Sequence, residues 1–288
     1  MRVRFGPAGA PINYKGKTEE IPRYLRVEEG LDAFEYQAVR SIRISQEKAT
    51  KLGEIAREYD VQLSLHAPYA INLAALNEEK KKASISRLVR SMQTAYWMKA
   101  KIVVFHPGYY LKRSPEEALR EVINCLKKIV EECESLGIKG VYLGPELTGK
   151  KSQVGSLSEI INICKAIDIA RPVIDWAHLH AREGGCLNTK EDYLRVLDTI
   201  ERELGSDIVK GLHCHFTRVE FTEKGERKHH TLDETDYGPD FEPLAEIIVE
   251  NGYSFTIISE TPLLDLDAIK MKQIYLRIKE RYGRKNVS

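Results

Sequence analysis

The sequence predicts an α/β fold, a single (β/α)8 TIM barrel over residues 1–288, on three observations. Short β-branched or aromatic runs alternate with longer amphipathic patterns along the whole chain. The alternation occurs eight times, and eight parallel strand–helix units commonly close into a barrel. No low-complexity segment, long linker or composition break divides the 288 residues, a length that α/β barrels routinely use as one domain.

The strand candidates are 3–8, 33–37, 62–67, 101–107, 140–146, 172–177, 208–215 and 254–260, each bounded by Gly, Pro or polar clusters. The first helix must be short, because 11–18 is loop-like. Ile85, Leu88, Val89, Met92 and Tyr96 recur at helical spacing and are expected to pack on the barrel. Ser114-Pro115-Glu116-Glu117 joins an N-cap serine to a proline at the first helical position and a glutamate at N3. Ser156 with Glu159, and Thr189 with Asp192, offer similar starts.

Composition narrows the setting. Lys and Arg number 44 against 43 Asp and Glu, so no global field draws the chain to nucleic acid. At 42% hydrophobic and 30% charged residues, the chain is too polar for a membrane protein. Met1-Arg2-Val3-Arg4-Phe5 lacks the features of a signal peptide, and a cytoplasmic location is expected. Five cysteines form no Cys-x-x-Cys pair, which argues against a cysteine-ligated zinc. The wealth of Glu, Lys, Arg and Ile resembles thermophile composition.

The chemistry is signalled by position. His66, His106, His178, His180, His213, His215, His229 and His230 all fall at or just beyond the C-terminal edge of a candidate strand, and none is expected inside a helix. In a barrel those ends converge on one face, where active sites are built. Glu146, Asp175 and Glu260 occupy equivalent places, and strand alternation turns them inward. Imidazole with carboxylate suits zinc, and more carboxylate suits manganese or iron. A dinuclear centre around Glu146 is the core expectation. His180 and His230 each adjoin a better candidate, while Glu35 and Arg40 either line the site or pair at the surface.

These residues fall into ordered motifs: His66-Ala-Pro-Tyr69-Ala-Ile-Asn-Leu, Phe105-His106-Pro-Gly108, Glu146 followed by Gly155-Ser156, Asp175-Trp-Ala-His178, Gly211-Leu-His213, His229-His230 and Ser259-Glu260-Thr261. In order and spacing they resemble the endonuclease IV family of apurinic/apyrimidinic endonucleases, within the xylose-isomerase-like barrels. The resemblance spans nearly the whole chain. It implies that His66, His106 and Glu146 hold a first zinc ion. Glu146 then bridges to a second ion completed by Asp175, His213 and Glu260, and His178 and His229 hold a third. Two or three Zn2+ ions are thus expected, with Mn2+ as an alternative. Glu146 and Glu260 are the catalytic carboxylates of this scheme, and Tyr69 matches a tyrosine that contacts DNA beside the lesion. The implied activity is zinc-dependent hydrolysis of damaged double-stranded DNA 5′ to an abasic site, by a monomer, in base excision repair. Lys150, Lys151, Arg182 and Arg218 are candidate phosphate contacts.

Four positions depart from the pattern. Arg227 stands two residues before His229, where the family has an aspartate, and Glu226, one residue further away, is the available substitute. Leu147 replaces an asparagine, and His215-Phe216 replaces Asn-Asp. No arginine-rich loop follows the second strand, where Tyr36-Gln37-Ala-Val-Arg40 stands instead. Two other readings use the same barrel. A sugar isomerase or epimerase would pair Glu146 and Glu260 around one or two ions, and a metal-dependent binding protein would use the donors without turnover.

Overall fold

Parallel strands surround a packed centre in a computed structural model that describes residues 2–285. The ends of the expected domain, Met1 and residues 286–288, lie outside the described residues. The eight barrel strands are β1 Arg4–Pro7, β2 Ala33–Gln37, β3 Gln62–His66, β4 Ile102–Phe105, β5 Tyr142–Pro145, β6 Val173–Asp175, β7 His213–Phe216 and β8 Thr256–Ser259. They form two four-stranded arcs, β1-β8-β7-β6 and β2-β3-β4-β5, each parallel throughout. Single bridges close the ring between Ala8 and Glu35 and between Glu146 and Val173. The backbone bonds there are Gly9 N–H to Glu35 O at 3.0 Å and Leu147 N–H to Val173 O at 3.1 Å.

The outer layer comprises α1 Ile21–Glu28, α2 Gln46–Glu58, α3 Glu78–Met98, α4 Pro115–Ser135, α5 Leu157–Ala166, α6 Lys190–Leu204, α7 Phe241–Glu250 and α8 Leu264–Lys285. The capping signals read from the sequence operate here. Ser114 Oγ accepts from Glu117 N–H at 3.2 Å while Glu117 Oε2 accepts from Ser114 N–H at 2.9 Å, and α5 and α6 carry the same box. Between strands and helices the buried layer includes Leu65, Val103, Phe105, Leu143, Ile174, Cys214 and Ile257.

Inside the ring the alternate residues divide by chemistry. Ile102, Val104 and Val173 form an apolar patch with Tyr142. Glu35, Ser64, His213, His215 and Thr256 are also buried, and their side chains form a polar wall. Two expected strands are shorter than their apolar runs. Ser206–Lys210 is a helical turn rather than part of β7, a run too short for periodicity to decide. β6 stops at Asp175, whose carboxylate accepts from His178 N–H at 2.7 Å and caps the helix Trp176–Arg182. His178 and His180 therefore lie on a helix, where no histidine was expected. Among the described residues no helix is long and apolar enough to cross a membrane.

Candidate metal centre

Among the described residues four groups of donors could hold an ion: the buried Glu35, His213 and His215 form one, deeper in the barrel, and the other three are linked at the strand ends. Those three are His66, His106 and Glu146; then Glu146, Asp175, His215 and Glu260; and then His178, His229 and Glu260. Within each group the ligand atoms lie within 4.8 Å of one another. Glu146 belongs to the first two and Glu260 to the last two, so the groups form one continuous cluster. Glu146 Oε2 faces His106 Nε2 at 2.9 Å and His66 Nε2 at 3.2 Å, and its Oε1 faces His215 Nδ1 at 2.9 Å. Glu260 Oε1 meets the same His215 nitrogen at 3.1 Å.

A β-hairpin completes the third group. Arg218–Thr222 pairs antiparallel with Gly225–His230, placing His229 on a strand rather than in the loop expected from sequence. The register shifts between Glu220, opposite Lys228, and Phe221, opposite Glu226. Arg227 is the extra residue of this bulge. Simple alternation from His229 would aim Arg227 at the cluster, but the bulge re-phases the strand. Arg227 instead extends outward, 65% exposed, to Glu220 Oε1 at 2.6 Å. Glu226 takes the inward place, with Oε2 at 3.3 Å from His178 Nε2 and Oε1 at 3.4 Å from His229 Nε2. The hairpin docks closely because Gly225 holds a φ of +100° against Gly149, whose own position leaves no room for a Cβ beside Glu226.

The protonation pattern suits cations. Burial opposes ionisation of Glu146, yet the rings of His215 and His106 outweigh it and hold the carboxyl well below its usual range. Burial likewise works against His66 and His229, but Glu146 and Glu226 respectively help lift each to about 9. Asp175 goes the other way: burial raises it, and neighbouring Glu260 and Glu146 add to the rise despite His178. Among the described residues its Oδ2 is buried and makes no hydrogen bond, and His229 Nε2 makes none either, its approach to Glu226 at 3.4 Å being an ion-pair contact only. Buried polar atoms are rarely left so. Both orphans belong to donor groups, so a divalent cation is the partner that fits them. Three histidines are also pre-oriented: Nδ1 of His66, His178 and His229 faces the carbonyl of Ala67 at 2.8 Å, Leu147 at 3.0 Å and Glu260 at 3.1 Å. Each is thereby set to keep its proton there and turn the Nε2 lone pair into the cluster.

Above the donors lies a cleft of about 340 Å³, bordered by Tyr69, Tyr109, Lys150, Gln153, Glu226 and His229. Tyr69 is 50% exposed with its ring 5.1 Å from that of His66.

Geometry departs from the sequence reading at several residues. His213 is not brought to the Asp175 group; it begins β7 one inward position lower, and His215 stands in that group instead. His213 and His215 share a face, so alternation alone cannot choose between them. Glu35 is fully buried beneath His215, whereas Arg40 is exposed. His180 is buried against Phe221, accepts from Leu187 N–H at 3.1 Å, and is pushed by burial down to about 4. His230 stacks on Tyr237 and bonds Glu234. Arg182 is no free phosphate contact: its guanidinium donates to the Thr148, Lys150 and Gln153 carbonyls and to Tyr110. Arg218 is likewise committed to Leu232 O, Tyr237 O and Asp240. Lys150 and Lys151 remain exposed.

A barrel with a histidine–carboxylate cluster at its C-terminal mouth defines a recognisable class. The family model of the xylose isomerase-like TIM barrel matches residues 25–274. An uncharacterized protein of Methanocaldococcus jannaschii is 32% identical over 271 residues, covering 94% of this chain and 96% of that protein. A probable endonuclease 4 of Mycoplasmopsis synoviae is 26% identical over 279 residues, covering 96% and 94%. Among solved structures, endonuclease IV from Thermus thermophilus overlays with a TM-score of 0.68 at 19% identity, over 96% of this chain and 99% of that one. A D-tagatose 3-epimerase-like protein overlays at 0.72 and 22% identity, over 98% and 99%; at such identities the overlays show the fold alone. The chain belongs to the xylose isomerase-like TIM barrels and, within them, to the endonuclease IV-like family.

Proposed function

We propose that the chain is a metal-dependent phosphodiesterase that cuts the DNA backbone 5′ to abasic sites. The observation that carries this reading is the continuity of the donors through Glu146 and Glu260, with Glu226 supplying the carboxylate missing at Arg227. Three joined groups match a reaction in which charge develops on attacking, non-bridging and leaving oxygens together. His66, His106 and Glu146 would hold one ion, Glu146, Asp175, His215 and Glu260 a second, and His178, His229 and Glu260, with Glu226 beside them, a third. Zinc, the ion this donor set suits, or manganese in its place, would polarise the phosphate and bring a coordinated water's pKa toward neutrality.

The chain's own residues then have distinct tasks. Glu146 and Glu260 link the groups and fix their spacing. The carbonyl-tethered histidines meet the ions without reorganising, which preserves the site's geometry. Lys150 offers a cation at the rim for a backbone phosphate. Tyr69 presents a ring face on which a base or sugar beside the lesion can stack. A cleft of about 340 Å³ has the scale of a small ligand and suits an extrahelical sugar phosphate.

The test is nicking of a duplex with one abasic analogue, with the product scored for a 3′-hydroxyl by polymerase extension. Wild-type protein should nick; Glu146→Gln should lose activity while keeping its melting temperature within a few degrees. Full activity in that variant, or no nicking by fully metal-loaded wild type, would contradict the proposal. A sugar epimerase is the second reading, favoured by Glu146 and Glu260 converging on one nitrogen of His215. It predicts one or two ions, no nicking, and solvent proton exchange at a sugar carbon.

A further inference from the structure

One histidine of the cluster is oriented differently from its neighbours. His66, His178 and His229 turn Nδ1 to main-chain carbonyls and Nε2 inward. His215 presents Nδ1 to Glu146 and Glu260, so its Nε2 points down into the barrel. Among the described residues no carbonyl receives that nitrogen. Glu35 does, with Oε1 at 3.1 Å and Oε2 at 3.3 Å.

Glu35 is itself tightly held. It is fully buried on β2, where Ser64 Oγ donates to its Oε2 at 2.8 Å and Gln37 Nε2 donates to its Oε1 at 3.0 Å. His213 Nε2 approaches Oε2 at 3.0 Å. Because an ionised carboxylate only accepts, both imidazoles must place an N–H toward it. His213 then keeps its lone pair on Nδ1, which is buried and makes no hydrogen bond among the described residues. His213 borders a separate cavity of about 200 Å³ at the opposite mouth of the barrel, with Gln62, Lys101 and Thr256.

We infer that Glu35 is a positioning residue for the metal centre: it fixes His215 as the Nε2–H tautomer so that Nδ1 serves the ions, with His213 clamping Glu35 rather than acting as a ligand. The inference rests on the proposed metal centre. A carboxylate behind a ligating imidazole fixes ring and tautomer and also raises ligand basicity, which a neutral carbonyl does more weakly. His215 lies in the central group, between the ions that Glu146 would join. Loosening it should therefore weaken one ion while leaving the donor count unchanged.

The experiment compares wild type, Glu35→Gln, Ser64→Ala, His213→Asn and His215→Asn as full-length protein. Each is titrated with zinc against a chromophoric chelator and then with Co2+, whose visible spectrum reports ligand geometry. Glu35→Gln should keep the wild-type number of ions, bind one of them about 10- to 100-fold more weakly, and shift the Co2+ spectrum. Ser64→Ala, which removes one donor from Glu35 with little change in volume, should weaken the same ion by a smaller factor. His213→Asn should keep every ion, and His215→Asn should lose one. Unchanged zinc affinity and Co2+ spectrum in both Glu35→Gln and Ser64→Ala would overturn the inference. Loss of an ion in His213→Asn would also overturn it, by making His213 a ligand. A wild type that takes up no metal would show instead that the metal centre itself is wrong, and would remove this inference with it.

Discussion

The bulge in the hairpin offers a sharp perturbation, because neighbouring residues 226 and 227 have opposite expected effects. Glu226 reaches both His178 and His229, and although burial disfavours its charge, those two rings hold its carboxyl at about 2. A four-ligand zinc site in a small peptide is worth about 10–16 kcal/mol, so one ligand accounts for about 3 kcal/mol, or about 100-fold in affinity. Glu226→Ala should therefore weaken the third ion by about that factor, and nicking should fall with it. Arg227→Ala removes only a surface pair with Glu220, worth about 1 kcal/mol or less, and should leave metal content and activity unchanged. Zinc titration with a competing chelator, followed by elemental analysis of the desalted protein, reads both. A lost ion in Arg227→Ala, or an unchanged third ion in Glu226→Ala, would refute the register on which the third group depends.

Other predictions address charge and burial. Arg182→Ala removes a buried guanidinium from three carbonyls and a tyrosine hydroxyl; it should cost about 3 kcal/mol in urea unfolding, and a loss of nicking without destabilisation would restore a direct phosphate role. Glu29 is raised by burial and by Asp265 to about 8, so the folded chain keeps a proton that the unfolded chain releases above about pH 4. That contribution to stability falls as pH rises from about 4 to 8. Glu29→Gln should flatten the slope and add about 1–2 kcal/mol at pH 8, allowing for its partial exposure; an unaltered slope would contradict it. Zinc must displace protons from His66 and His229, each near 9 in the metal-free site. Apparent affinity should therefore climb steeply from pH 6 and level off near pH 9, whereas a flat profile in calorimetry would count against these ligands.

The barrel was legible because its signals are local. Ser114, Ser156 and Thr189 announce helix starts, and the short apolar runs between them fit no other common arrangement of eight units. Much of the cluster was legible for the same reason, since His66, His106, Glu146, Asp175 and Glu260 stand at or next to strand ends whose position is readable from hydrophobic boundaries. What escaped depends on height and register. His213 and His215 share a face, and only the pairing of Thr256 with His213 and Ser259 with Phe216 shows that His213 sits a layer too low. Glu226 was in view as a substitute for the missing aspartate, but the bulge that turns it inward exists only as a mismatch between two strands. Glu35 carried no motif; its role appears once Ser64, His213 and His215 are seen to face it from β3 and β7. Arg182 and Arg218 resembled phosphate contacts because a sequence does not show which guanidinium groups are already occupied by carbonyls.

The proposed three-ion centre, joined by Glu146 and Glu260, would hydrolyse DNA at abasic sites. It is tested most directly by measuring nicking of an abasic duplex and metal content on the same purified sample. Three ions per chain are expected, with incision lost on chelation and restored by zinc. One or two ions with no incision at any metal loading would contradict it.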